Sequence, residues 1–226
     1  MATNLTPHQR ALRSTVALKA LMAVTGLILI AFLLMHMIGN LKMFLGAEEF
    51  NHYAEWLKQD LLYPFLPHGT FIWLFRAVLL ACIVLHMFSA VTLWHRAAKA
   101  TPTKYETKKK LSQSYASRTM RWGGLILAGG LIWHLIQFTI APSGPSPFVG
   151  VRDTFQNPAW VAFYLVWIGV VCIHIRHGFW SAFATLGANT SAFMKTVLNA
   201  LAYLVAALIF VGFAVMPVAV LAGGIQ

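Results

Sequence analysis

Long apolar segments alternate with shorter polar ones along almost the whole chain. The apolar segments run roughly from Val16 to Phe44, Phe71 to Trp94, Trp122 to Ile140, Trp160 to Ile175 and Val197 to Leu221. A helix needs about 20 residues, and at least about 17, to cross the hydrocarbon core of a bilayer. The fourth segment is short, but Gly178, Phe179 and Trp180 extend it past Arg176. The pattern predicts an all-α integral membrane bundle of five transmembrane helices.

The composition supports this class. Of the 226 residues, 59% are hydrophobic and only 10% are charged, whereas a soluble domain carries roughly 25% charged residues. The first apolar segment is too long for the core of a signal peptide, and no small-residue cleavage site follows it. Nothing marks a second domain, so we expect residues 1–226 to form a single transmembrane domain.

The basic residues indicate the orientation of the bundle. If the amino terminus, the second loop and the fourth loop face the cytoplasm, 13 of the 17 basic residues lie on that side, with all the acids except Glu106 on the other. The 13 are Arg10, Arg13, Lys19, Arg96, Lys99, Lys104, Lys108, Lys109, Lys110, Arg118, Arg121, Arg176 and Lys195. This asymmetry follows the positive-inside rule and predicts a cytoplasmic amino terminus. The net charge of +11 is therefore a topology signal, and no segment is long enough for a basic surface that binds nucleic acid.

Two segments between the apolar runs have patterns of their own. The piece from Glu48 to Leu66 is amphipathic, and we expect it to lie along the outer membrane interface until Pro67 breaks it. The sequence APSGPSP, from Ala141 to Pro147, predicts a turn or an extended loop.

Four histidines lie late in four of the five apolar segments: His36, His86, His134 and His174. A histidine inside hydrocarbon is costly, so it needs a partner and usually has a function. Since consecutive helices cross in opposite directions, the four fall at two depths, His36 with His134 and His86 with His174. Two such pairs can hold two six-coordinate haems, one above the other, and a bis-histidine haem carries electrons without binding substrate.

A structural role and zinc ligation are the other interpretations of these histidines. A single membrane histidine is more simply a polar residue bonded to a neighbouring helix, but four at matched depths favour paired ligands. Tetrahedral zinc would need its ligands at one depth, and no cysteine or acid accompanies them. Cys82 and Cys172 stand alone in apolar helices, and the absence of a CxxCH motif means that any haem is bound non-covalently.

Small residues lie one helical turn from the histidines. Gly130 precedes His134 by four residues, Gly178 follows His174 by four, and Gly39 follows His36 by three. Such glycines leave space for a porphyrin, but they equally allow bare helices to pack closely. The sequence leaves both interpretations open.

A cluster of cationic side chains lies near the predicted cytoplasmic rim: Arg118, Arg121, Arg176 and His177. Charge-assisted hydrogen bonds to haem propionates are one use for them, and anchoring under the positive-inside rule is the other. His177 is also a second candidate for the inner ligand, but His174 lies deeper in the helix and is preferred.

Several motifs in a fixed order give the chain a family resemblance over nearly its whole length. They are HMIGNLKMF followed by GAEEFNHYA, then YASRTMRWGG, WHLIQF, FQNPAWVAFY and HIRHGFWSAFATLG. In this order they resemble the five-helix, di-haem cytochrome b membrane subunit of succinate dehydrogenases and fumarate reductases. The resemblance implies the same ligand pairs, His36 with His134 for the outer haem b and His86 with His174 for the inner one.

The resemblance also implies partners and a substrate. A flavoprotein subunit carrying FAD would oxidise succinate, and an iron–sulfur subunit would pass the electrons to this chain, which anchors both in the bacterial cell membrane. The chain would reduce a quinone, with menaquinone the expected type, and Glu55 is the candidate acid near the outer haem. Outer acids are equally explained as solvated charges. The cytochrome b anchor of another dehydrogenase, a free-standing di-haem reductase and a haem-free transporter are the alternatives.

Overall fold

The computed structural model describes Thr6, Ala11, residues 14–100 and residues 112–225, with the backbone alone for residues 112–118. Within these ranges the chain forms seven α-helices and no strand. They are α1 (Thr15–Leu41), α2 (Ala47–Gln59), α3 (Thr70–Lys99), α4 (Ser112–Leu135), α5 (Pro147–Phe155), α6 (Pro158–Thr185) and α7 (Ala192–Leu221). The all-α prediction is confirmed.

Five of the described helices are long and apolar enough to cross a membrane: α1, α3, α4, α6 and α7. The first span, α1, continues as a 3-10 turn over Lys42–Leu45. The third span, which is α4, ends in a π-helical turn over Ile136–Ile140. The fourth span runs to Thr185, so the predicted extension beyond Arg176 is also confirmed. The protein is a multi-pass membrane bundle.

Side-chain caps set where several helices begin. Ser14, Asn157 and Ser191 each accept a hydrogen bond from a backbone N–H in the first turn of the helix that follows, at 3.1, 2.9 and 3.1 Å. Such a bond satisfies one of the amide groups that have no partner inside the helix. Pro158 follows Asn157 directly, and its fixed φ suits the first helical position.

The turn or loop predicted over Ala141–Pro147 is confirmed for residues 141–146, and the short helix α5 begins at its last residue, Pro147. Ser146 caps it by accepting from the Val149 N–H at 3.4 Å, and Pro147 opens the helix instead of continuing the loop. Serine followed by proline is a helix-start signal, so Ser146 and Pro147 already indicate in the sequence where α5 begins.

The interfacial segment is also shorter than predicted. The prediction of one amphipathic element from Glu48 to Leu66 is wrong in length, because α2 ends at Gln59. Leu62 adopts a left-handed backbone with φ of 69°, which a helix cannot contain. Turns follow α2 as far as the start of α3.

The helices pack around α6 and α1. Helix α6 packs on α7, α1 and α4, and α1 also packs on α3 and α7. A Cβ at Gly212 would overlap Met37, so glycine lets α7 approach α1 closely at this point. Within the described residues, α6 is the helix that α4 contacts extensively, and α1 is the helix that α3 contacts extensively. Helices α3 and α4 are therefore each held to the bundle from one side.

Candidate functional site

The structure brings the four histidines together in the two pairs that the sequence predicted. The ring centroids of His36 on α1 and His134 on α4 are 5.9 Å apart, with the rings nearly perpendicular at 82°. Those of His86 on α3 and His174 on α6 are 6.3 Å apart at 62°. Each pair thus joins a helix of the α1–α3 side to a helix of the α4–α6 side.

The two pairs lie at different depths along the helices. His86 contacts α1 at Met22 and Gly26, whereas His36 lies ten residues beyond Gly26, about 15 Å further along the axis at 1.5 Å per residue. On α6, Trp167 contacts His134, and His174 lies seven residues further on, roughly 10 Å along the axis. The depth argument from alternating helix directions therefore agrees with the packing.

Aromatic side chains surround the His36–His134 pair. Phe32 stacks on His36 with centroids 5.3 Å apart and planes within 16°, and Phe213 approaches the same ring at 5.7 Å. Tyr164 lies 6.1 Å from the His134 ring. These rings restrict the orientation of both imidazoles and exclude water from them.

The second pair is oriented by hydrogen bonds from a neighbouring helix. The Nδ1 atom of His86 lies 3.1 Å from the Met22 carbonyl oxygen and 3.3 Å from the Thr25 hydroxyl. The Thr25 hydroxyl donates its own proton to Leu21 O at 2.7 Å, so it can also accept from His86. Nδ1 is therefore the protonated nitrogen, and Nε2 keeps its lone pair, as metal-ligating histidines do.

The close approach of α1 and α3 at this point depends on Gly26. A Cβ built on Gly26 would lie 3.2 Å from His86 Cε1 and 3.5 Å from its Nδ1. Any larger side chain would push the ring away from Met22. Gly26 is thus a packing requirement for the His86 geometry that the sequence analysis did not identify.

The distances suit two imidazoles on one metal atom. Two metal–nitrogen bonds of about 2 Å and two ring radii of roughly 1.1 Å place the centroids ~6 Å apart. The buried Nδ1 atoms of His134 and His174 have no hydrogen-bond partner among the described residues. Ligation through Nε2, as inferred for His86, would leave these Nδ1 atoms without a partner, so the fit rests on the facing rings of each pair and on their spacing. The residues present therefore fit the expected group.

The contacts of the histidines also bear on the structural and zinc interpretations. His86 does bond to a neighbouring helix, as a purely structural histidine would, but the unpartnered nitrogens of His134 and His174 do not match that account. In the described part of the chain, no three His, Cys, Asp or Glu side chains come together as a tetrahedral zinc site requires.

The glycines near the histidines have different surroundings. Gly130 is covered by the indole of Trp167, whose buried Nε1 has no hydrogen-bond partner among the described residues. A Cβ built on Gly39 would lie 3.0 Å from the Tyr53 hydroxyl oxygen. For these two, close packing is what the structure shows. The space around Gly178 is open.

Of the candidate propionate ligands, Arg121 lies at the end of the bundle that holds the His86 pair. It is exposed, and its guanidinium carbon lies 5.4 Å from the centroid of Trp94 on α3. Since Arg121 belongs to α4, this cation–π contact links α4 to α3, between which the described residues make no other extensive contact. The side chain of Arg118 lies outside the described residues.

Arg176 points to α7. Its Nη2 donates to Asn199 Oδ1 at 3.1 Å, and its guanidinium carbon lies 4.4 Å from the centroid of Tyr203, while Nε is buried without a partner among the described residues. The structure thus shows Arg176 joining α6 to α7, and it does not bring it to the His86–His174 pair.

The positions of the two rings distinguish His174 from His177 as the partner of His86. His174 is the residue whose ring faces His86, and His177 is half-buried one turn further along α6. We expect His174→Ala to remove the centre shared with His86 and His177→Ala to retain both centres. Haem content and reduced spectra of the two variants measure this. Loss of a centre in His177→Ala alone would show that the wrong histidine was chosen.

Glu55 is exposed on α2. The side chains through which α2 meets the rest of the bundle are others: Phe50 is buried, Asn51 accepts from the Phe148 N–H at 3.0 Å, and Tyr53 covers Gly39. The structure gives Glu55 no contact with the histidines, and its role in quinone chemistry stays a prediction.

Sequence reasoning missed two polar groups beside the histidines. Thr25, buried at 3% exposure, supports His86, and the Tyr164 hydroxyl donates to Gln137 Oε1 at 2.9 Å next to His134. The available signal was a polar residue inside each apolar segment. Their partners lie on other helices or many residues away, so only the fold pairs them.

No family model matches the chain, and neither a curated protein nor a solved structure matches it. The family resemblance therefore depends on the motifs quoted above, and the evidence for the site is the geometry of the two histidine pairs.

Proposed function

We propose that the chain is the membrane-anchor cytochrome b subunit of a succinate:quinone oxidoreductase and that it holds two haem b groups. The observation that carries the haem assignment is the pair of facing histidines at each of two depths, with centroids 5.9 and 6.3 Å apart. The choice of this enzyme among haem-containing ones is supported by the ordered motifs of the resemblance.

Each group of residues has a defined part in this proposal. His36 and His134 hold one haem, and His86 and His174 hold the other. The bound haems supply one-electron chemistry without an open coordination position. The Met22 carbonyl and Thr25 fix the tautomer of His86, and Phe32, Phe213 and Tyr164 keep water from the other pair.

The orientation follows the basic residues. With the amino terminus cytoplasmic, the His86–His174 pair lies toward the cytoplasm. The iron–sulfur subunit, which receives electrons from the FAD of the flavoprotein subunit, docks near Arg96 and Arg176, and also near Arg13 and Arg118, which lie outside the described residues or side chains. His86 and His174 would hold the haem nearer the iron–sulfur subunit, which suits it to accept electrons because electron transfer decays steeply with distance. His36 and His134 would hold the haem nearer a quinone, of the menaquinone type, on the outer side. The complex belongs to a bacterial cell membrane.

The alternatives differ in measurable ways. An anchor of another dehydrogenase or a free-standing di-haem reductase would share the haems but bring different partners or none. A transporter with polar histidines would contain no haem.

A spectrum of the purified chain and the composition of its native complex test the proposal. We expect reduced b-type absorption bands, a haem content equal to two groups for each chain, and co-purification of an FAD-containing and an iron–sulfur subunit with succinate oxidation activity. Absence of the bands would eliminate all three cytochrome interpretations. Bands without those subunits would leave the haem sites intact and reject the assignment to succinate:quinone oxidoreductase.

A further inference from the structure

A surface pocket of ≈ 400 Å³ lies where α2 ends and α3 begins, away from both histidine pairs. Its lining includes Lys58, Gln59, His68, Thr70, Trp73 and Arg76. The backbone holds the pocket closed on one side, because the Gly69 N–H donates to Gln59 O at 2.9 Å and ties the two helices together. Gly69 takes a left-handed backbone, with φ of 73°, to make this connection.

The pocket is lined by cations and by no carboxylate. Lys58 and Arg76 both line it, and Asp60, outside the lining, pairs with the lining residue His68 at 2.9 Å. Among the described residues neither Lys58 nor Arg76 forms an ion pair. The pocket therefore has an uncompensated positive charge.

The position of Arg76 requires explanation. It lies six residues after Thr70, about 9 Å along the axis of a membrane-spanning helix, where a charged side chain is costly without a partner. A long arginine side chain at this depth extends toward the head-group region. Its guanidinium carbon lies 5.0 Å from the centroid of Trp73, which directs it along the α3 surface toward the pocket.

The backbone adds further donors. Gly69 caps α3 without a side-chain hydrogen bond, and the Thr70 N–H donates to Pro67 O at 3.1 Å. The amides that follow Thr70 in the first turn have no side-chain cap among the described residues. Amide groups at a helix start and neighbouring cations together suit a phosphate group.

Exposed apolar side chains lie in the pocket lining and in the turn that joins α2 to α3. Trp73 is 68% exposed and Phe65, on the loop before it, is 88% exposed, with Leu62 and Tyr63 also exposed. Aromatic residues of this kind lie at the membrane interface. A phosphate held by Lys58 and Arg76 would thus be attached to a molecule that has acyl chains beside these rings.

We propose that this pocket binds the phosphate of an anionic phospholipid from the leaflet opposite the amino terminus. Lys58 and Arg76 pair with the phosphate, and Trp73 lies beside the glycerol and acyl region. The site uses none of the four paired histidines and does not depend on the proposed function.

Spin-labelled phosphatidylglycerol and phosphatidylcholine, added to the full-length protein in phosphatidylcholine nanodiscs, test the site. We expect the labelled anionic lipid to show a larger motionally restricted fraction than the zwitterionic one. The double variant Lys58→Gln/Arg76→Gln should lose most of that preference, whereas Lys42→Gln/Arg152→Gln should keep it. The control removes the same charge from the same membrane face, where Lys42 lies over Tyr53 and Arg152 pairs with Asp153.

Each other outcome rejects the proposal. No preference in the unaltered protein, or equal losses in both double variants, would reduce the effect to general surface charge. Displacement of the labelled lipid by millimolar inorganic phosphate would indicate a free-anion site, and displacement by a quinone would indicate a quinone site. Photo-crosslinking of phosphatidylglycerol to the unaltered protein provides a second measurement that does not require the variant to fold. The crosslink should fall within residues 58–76, and its absence there would contradict the site.

Discussion

His36→Ala and His134→Ala are expected to remove the same haem, and His86→Ala and His174→Ala the other, each variant losing about half of the bound haem. The reason is geometric: each pair of rings faces across 5.9 or 6.3 Å, and a haem that loses one of two axial ligands is held weakly. Haem content and redox titration of the four variants measure this, because two centres in different surroundings titrate as separate components.

A histidine outside the pairs serves as the control. His95 lies at the exposed end of α3 and bonds to the Val91 carbonyl oxygen within its own helix. His95→Ala should retain both components. If His36→Ala and His86→Ala removed the same component, the assignment of the histidines to two depths would be wrong.

Gly26→Leu should abolish the centre formed by His86 and His174 while leaving the His36–His134 centre in place. A Cβ at Gly26 already lies 3.2 Å from the His86 ring, so the rest of a leucine side chain has no space unless that ring moves. Overpacking of this kind costs about 1–3 kcal/mol in a well-packed interior. Movement of the ring would also break its bond to the Met22 carbonyl, which fixes the tautomer that ligation needs.

Gly129→Leu is the matched control for this substitution. Gly129 also lies inside a membrane-spanning helix, but it is exposed and nothing lies within 4 Å of its Cβ position. The change in helix propensity is therefore the same, and only the contact with a histidine differs. Retention of both centres in Gly26→Leu, or equal loss in the two variants, would contradict the packing argument.

The pairing of the histidines could be predicted because a membrane span has few free variables. Its length is fixed by the bilayer, consecutive spans alternate in direction, and a histidine late in one span meets a histidine late in the next span but one. The basic residues predicted an orientation, which remains a prediction, through the same small set of rules.

The elements outside the spans were predicted less well. The loop predicted as far as Pro147 ends one residue earlier, where α5 begins, and the amphipathic segment predicted as far as Leu66 contains a helix that ends at Gln59. Short interfacial elements are decided by caps and by single backbone conformations, such as the left-handed Leu62, that leave only a weak signal in the hydrophobic pattern.

The sequence alone determined the five spans, because burial in lipid imposes a length and an apolar composition that every span must satisfy. The tertiary structure alone decided what supports each histidine. Met22, Thr25 and Gly26 act on His86 across 60 or more residues of sequence, and the lining of the α2–α3 pocket joins Lys58 to Arg76. Arg176, which the sequence placed among the propionate candidates, proved to face α7. Such contacts depend on the rotation of each helix about its axis, and neighbouring helices set that rotation through packing that no single segment encodes.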